Sequence, residues 1–144
     1  MIDNCFFYQL NDKNNTFSFN DYVVLLSLIH VQQPTNLYIY YNNDEIKSSI
    51  YYIHLNHTHI EFIQNKLKVN IIFKRTNNEC HHELVNDLRM TGGVYITNKY
   101  LILKKITPFL IYECVIKEGF IYGYSKNICE NTDILNTLYS NNHS

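Results

Sequence analysis

Apolar and polar residues alternate in blocks along this chain, and the blocks predict strands and helices in turn. Cys5–Leu10 is a short apolar and aromatic run that predicts a first strand, followed by the polar, turn-like stretch Asn11–Thr16. Ser18 and Asn20 each suit a helix N-cap, with Asp21 favourable in the first turn. The helix they open is expected to run to Gln33, where Pro34 stops it. Its apolar positions, Val23, Val24, Leu25, Leu26, Leu28, Ile29 and Val31, wrap most of the circumference, which predicts a buried helix rather than an amphipathic one. Leu37–Tyr41 reads as a second strand, closed by Asn42-Asn43-Asp44. Strand, buried helix, strand is a βαβ pattern and implies a parallel pair joined by a right-handed crossover.

Beyond this unit the pattern is uneven. Ile46–Gln64 fits either a helix or an extended segment, and periodicity alone leaves both open. Val69–Phe73 predicts a third parallel strand, and Arg75–Glu79 a polar loop. A short polar, helix-compatible segment from Cys80 leads into Gly92-Gly93, which fit a helix C-cap and a tight entry into the apolar run Val94–Ile96. Thr97-Asn98-Lys99 interrupts that run before it resumes as Tyr100–Leu103. After Pro108, Phe109–Ile116 predicts a strand, Gly119 and Gly123 punctuate a hairpin, and Thr132–Tyr139 predicts a short capped helix. The expected fold is α/β: a mainly parallel, Rossmann-like sheet of Cys5–Leu10, Leu37–Tyr41, Val69–Phe73 and Val94–Ile96, with the Ser18–Gln33 helix packed on it. In such a sheet ligands bind outside the carboxyl ends of the strands, which puts the polar triplet 97–99 where a site is expected.

Length and composition narrow the function. A chain of 144 residues suits one domain, here residues 1–140 with 141–144 as a frayed tail. Net charge of −1 and a pI near 6.6 argue against nonspecific nucleic-acid binding, which calls for a basic surface. There is no apolar run of membrane-spanning length. The start, MIDNCFFYQLND, lacks a basic segment ahead of an apolar core, so a cytoplasmic location is expected. The four cysteines, Cys5, Cys80, Cys114 and Cys129, have no CxxC spacing and are expected to be reduced thiols. Abundant Asn, Ile, Tyr and Lys is the bias of AT-rich coding sequence, cellular or viral, and says little about function.

Few residues offer chemistry by spacing alone. On a strand, His57, His59 and Glu61 would share one face, a two-histidine, one-carboxylate set that metals use. Cys80-His81-His82-Glu83 is a second metal-capable cluster. Both clusters are local, and neither has a partner at zinc-finger spacing, so surface histidines are the expectation. His30 falls within the first helix, as a core or boundary histidine. No Gly-x-Ser-x-Gly exists to support a serine hydrolase. The Asn-x-Ser/Thr triplets at Asn14, Asn56 and Asn142 are expected by chance in so Asn-rich a chain.

Gly92-Gly93-Val94-Tyr95, an apolar residue, three polar residues, then Leu101–Leu103 and Lys104 resemble the glycosyltransferases with a DXD motif, sugar transferases of the capsular-polysaccharide type with a GT-A fold. A second segment agrees in order: Phe17, Ser18, Tyr22, Pro34, Leu37, Tyr38, Tyr40, Tyr41 and Asp44 follow that family's opening layout. Together the matches cover roughly positions 5–45 and 80–118. The resemblance implies a nucleotide-sugar site at Gly93, Tyr95, Thr97, Asn98 and Lys99, and a nucleotide diphosphate or nucleotide sugar as ligand. In the family, two Asp hold a manganese or magnesium ion on the diphosphate. Thr97 and Lys99 stand in their places. A hydroxyl and an ammonium do not make a site for a hard cation, so no metal cofactor is expected. The family also carries an Asp and an Arg in the helix before the glycines. Ungapped counting puts His81 and Leu84 there, a one-turn deletion brings in His81-His82-Glu83, and Asp87 and Arg89 do not carry over. The resemblance therefore implies a truncated, non-catalytic binding or assembly module, with a protein partner or second copy compatible with it. The alternative is an active, metal-independent sugar transferase in which the Lys99 ammonium replaces the ion.

Overall fold

The apolar run Cys5–Gln9 forms β1 and lies inside the sheet, with neighbours on both edges. The computed structural model of the chain describes residues 4–10, 17–77, 80–96, 101–103, 105, 114–117 and 121–124. Within them, β2 (Asn36–Tyr41), β3 (Asn70–Arg75), β4 (Gly93–Ile96), β5 (Cys114–Lys117) and β6 (Ile121–Tyr124) join β1 in one sheet of order β3-β2-β1-β4-β6-β5. The first four strands of that order are parallel, in register Phe6↔Leu37, Leu37↔Ile71 and Phe6↔Val94. The β5–β6 hairpin adds antiparallel strands, with Gly123 opposite both Val94 and Val115. Gly123 thus lies inside a strand rather than in the turn. Thr132–Tyr139 and the tail 141–144 lie outside the described residues.

Because crossover helices cover both faces, the central strands are apolar on both sides and read as continuous runs. One face carries Phe6, Tyr8, Leu37, Ile39, Val94 and Ile96 against Val24, Leu25, Leu28, Ile29, Leu55 and Ile63. The other carries Cys5, Phe7, Tyr40 and Tyr95 against Leu84, Val85 and Leu88. Burying each of these aliphatic or Phe side chains is worth about 1.5–3 kcal/mol.

The first helix spans the residues its pattern marks out, but not as one regular helix. α1 (Phe19–Ser27) passes directly into a π turn, Leu28–Gln32, and Gln33 ends it in the left-handed region at φ 49°. Pro34 follows, and a residue before proline is kept out of the helical region. Of the two N-cap candidates the structure uses Ser18: its hydroxyl accepts from the Asp21 N–H, and the Asp21 carboxylate accepts from the Ser18 N–H, a capping box.

The segment left open by its periodicity is helical. A 3-10 turn, Asp44–Ser48, leads through α2 (Ile50–Ile53) and a second π turn, His54–Thr58, to α3 (Ile60–Asn65). Asn43 and Ser49 cap the first two pieces, accepting from the N–H groups of Glu45 and Tyr51. Tyr52, Leu55 and Ile63 supply its buried face. β3 then starts one residue later than expected and runs on to Arg75, whose guanidinium pairs with Asp44 at 3.2 Å.

Of the run predicted to resume at Tyr100–Leu103, Tyr100 lies outside the described residues and 101–103 form no strand. Ile102 alone is buried there, and its N–H donates to Ser27 Oγ at 3.1 Å, while Leu101 and Leu103 are exposed. One apolar anchor on the end of α1 replaces a sheet pairing. Among the described residues no helix is long and apolar enough to cross a membrane.

Candidate functional site

The strand order places the reversal of winding between β1 and β4. From β1 the chain winds one way to β2 and β3, while β4 sits on the opposite side of β1. The carboxyl ends of these two strands, at Gln9 and Ile96, therefore border the crevice in which open α/β sheets bind ligands.

On the β1 side the chain returns as Phe17-Ser18 and enters α1. Asp21, in the first turn, is only 2% exposed, an unusual place for a carboxylate. It is well supplied with donors: the Tyr8 hydroxyl at 2.5 Å, the Ser18 hydroxyl at 2.9 Å and the Ser18 N–H at 3.1 Å. The positive end of the α1 dipole favours it further. Burial, and then the Asp21 charge, push the Tyr8 phenol well above its ordinary range, so Tyr8 is a neutral donor. Ser49 donates to the Phe17 carbonyl at 2.8 Å and fastens the entry of α1 to the cap of α2. This rim of the crevice is thus held by hydrogen bonds reaching the sheet, the helix start and the next helix.

On the β4 side α4 (Cys80–Thr91) ends at Gly92 in the left-handed region, φ 80°, with its N–H on the Leu88 carbonyl at 2.7 Å. Gly93 follows at φ 141°, against β1: a Cβ there would lie 2.4 Å from the Cys5 carbonyl oxygen. The paired glycines are therefore the C-cap and tight strand entry their sequence suggests. Tyr95 is 5% exposed, in the cluster of Cys5, Phe7, Leu84 and Leu88 beneath α4. Of the five residues that the resemblance assigns to a nucleotide sugar, Gly93 and Tyr95 are packed into the core, where they set the position of β4. Thr97, Asn98 and Lys99 follow Ile96 directly in the chain and lie outside the described residues. Leu84, at the position where the family carries Arg, is buried in the same core.

A polar cluster that the sequence did not announce lies on the α4 face. The Asp87 carboxylate accepts from the Tyr40 hydroxyl at 2.6 Å and from Lys74 Nζ at 2.5 Å. Lys74 also sits 5.7 Å from the centre of the Tyr40 ring. Tyr40 is fully buried, and burial, then its bond to Asp87, hold its phenol far above the usual range. The three residues come from β2, β3 and α4, and no spacing rule joins them. Their arrangement ties α4, the helix that delivers Gly93, to the sheet. Asp87→Ala is expected to lower stability by about 1–3 kcal/mol, because the buried Tyr40 hydroxyl loses its partner. Lys74→Met is expected to cost less than about 1 kcal/mol, because the half-exposed ammonium is solvated in either state. Urea denaturation of both variants checks the order; equal losses would mean that the ion pair, not the phenol, carries the tie.

The metal-capable clusters change once their backbone is known. His57 lies in the second π turn, His59 caps it and Glu61 lies in α3, so the every-second-residue face of a strand that would have joined all three does not form. All three are exposed. Cys80-His81-His82-Glu83 form the first turn of α4, with His82 exposed. Among the described residues no three or more His, Cys, Asp or Glu side chains gather as a metal group. No family model, no curated protein and no solved structure matches this chain, so a functional reading rests on its own residues and geometry.

Proposed function

We propose that this chain is a nucleotide-binding domain of the glycosyltransferase type that has kept the scaffold of sugar transfer and lost the metal-dependent chemistry. The observation that carries the reading is the parallel order β3-β2-β1-β4, with its winding reversal between β1 and β4. The segment that follows β4, residues 97–99, is the one the resemblance assigns to nucleotide-sugar handling. The donors at positions 97–99 are a hydroxyl, an amide and an ammonium, which do not fit a divalent ion needing carboxylate oxygens. Lys99 instead suits a diphosphate directly, as a point charge. Binding without turnover follows, and the chain acts as a binding or assembly module.

A thermal-shift series with uridine and guanosine diphosphates and their sugar conjugates tests this. A diphosphate at about a hundred times its Kd adds about 2.7 kcal/mol, roughly 5–10 °C in a chain of this size. The expected shift persists in chelator and is not increased by manganese. No shift with any nucleotide would remove the reading. Turnover of a nucleotide sugar by the wild type in chelator, lost in Lys99→Ala, would select the metal-independent transferase instead.

A further inference from the structure

The connection between α2 and α3 carries three histidines, and its backbone sorts them. His54 opens the π turn and His59 closes it, its N–H donating to the His54 carbonyl at 2.9 Å. An i→i+5 turn carries residue i+5 back over residue i, whereas a regular α-helix would carry it to another face. The two imidazoles stack accordingly, with ring centres 6.0 Å apart and planes inclined by 23°. His57, within the same turn, points elsewhere and meets the Tyr52 ring edge-on at 6.1 Å. His59 is exposed and His54 half-buried, so the pair opens to solvent.

We propose that His54 and His59 form a two-imidazole chelate for a borderline divalent transition ion of the nickel, copper or zinc class. Imidazole nitrogen suits these ions, and the pair lacks the oxygen donors that magnesium or calcium require. Two imidazoles on one ion, each nitrogen about 2.0–2.1 Å from it, place their ring centres roughly 4.5–5 Å apart at square or tetrahedral angles. From the stack at 6.0 Å, chelation requires the rings to turn so that one nitrogen of each converges on the ion, and the exposed His59 has room to turn. The π turn does the organising: its backbone hydrogen bond fixes both Cα positions before any ion arrives. Water fills the remaining coordination positions, which makes the ion exchangeable and leaves room for a third, external ligand. The site shares no residue with the crevice between β1 and β4 and does not depend on the nucleotide reading.

Calorimetric titration of nickel chloride into the full chain tests the proposal, with His59→Ala, His54→Gln, His57→Ala and the double variant His81→Ala/His82→Ala alongside. His59 is exposed, so its removal leaves the fold intact even if the half-buried His54 does not tolerate change. The expected result is one ion per chain, bound at least about tenfold more weakly by His59→Ala and by His54→Gln, and unchanged by the other two variants. Absence of binding to the wild type overturns the proposal. So does binding that survives His59→Ala, or that is lost instead with His57 or with the His81-His82 pair.

Discussion

Replacing Gly93 by alanine is expected to cost about 3 kcal/mol or more and to lower the yield of folded protein. The added Cβ meets the Cys5 carbonyl oxygen at 2.4 Å, the Phe7 ring at 2.9 Å and the Cys5 Cβ at 3.0 Å. The nearest of these is backbone of β1, so no side-chain rotation relieves it. The strand pair itself has to separate. Overpacking of this kind costs typically about 1–3 kcal/mol, and a non-glycine residue held at φ 141° adds strain of about 1–3 kcal/mol. Against a total stability of roughly 5–15 kcal/mol, that is a large fraction. Gly92→Ala is the informative contrast. Its φ of 80° lies at a helix end, where the left-handed penalty is about 1–2 kcal/mol. Urea denaturation of both variants gives the comparison. A Gly93→Ala protein with the wild-type midpoint would mean that β1 and β4 do not approach this closely.

Alkaline solution is expected to unfold the protein over a narrow range above pH 10. Tyr8 and Tyr40 are fully buried, and each donates its hydroxyl to a carboxylate, Asp21 and Asp87 respectively. Both phenols are raised above the ordinary value of 10.0. Below that pH both the native and the unfolded chain keep these protons, and the contribution to stability is fully present. Above it the unfolded chain releases protons that the native state retains, so unfolding gains with each step in pH. Each tyrosine contributes a slope of about 1.4 kcal/mol per pH unit. Stability therefore falls as pH rises through 10, against a total of only roughly 5–15 kcal/mol. Tyrosinate absorbance gives the readout: exposed phenols among the 13 tyrosines titrate first, and the buried pair appears only with loss of the circular-dichroism signal. Smooth titration of all of them with the fold intact would place one of the pair at the surface.

The strands were legible because burial on both faces writes them as short apolar runs between polar breaks. Cys5–Gln9, Asn36–Tyr41 and Gly93–Ile96 all stand within a residue of where that pattern puts them. The helix cap at Ser18 and the glycines at 92 and 93 were legible for another reason, since local backbone chemistry confines each to few residue types. The π turns were not, because widening a helix by one residue leaves the apolar spacing nearly unchanged. The same ambiguity left His57, His59 and Glu61 open to a strand reading, which their helical backbone replaces. The Tyr40–Asp87–Lys74 cluster was illegible in principle, since its members meet only through tertiary packing. For the candidate site, the sequence marked one strand end, the triplet 97–99 after Val94–Ile96, while the end of β1 entered only with the strand order. The burial of Gly93 and Tyr95 followed from the pairing of β4 with β1, which only the assembled sheet reveals.

The pairing of Phe6 with Leu37 on one side and with Val94 on the other has a temporal consequence during synthesis. A ribosome adds roughly 5–20 residues per second, so β1 and β2 emerge several seconds before β4 exists. Throughout that interval one side of β1 presents unpaired N–H and C=O groups flanked by Phe6, Phe7 and Tyr8. Such an edge is a ready template for another nascent chain. A chain stalled before Gly93 is therefore expected to aggregate or engage chaperones more than one from which β4 has emerged.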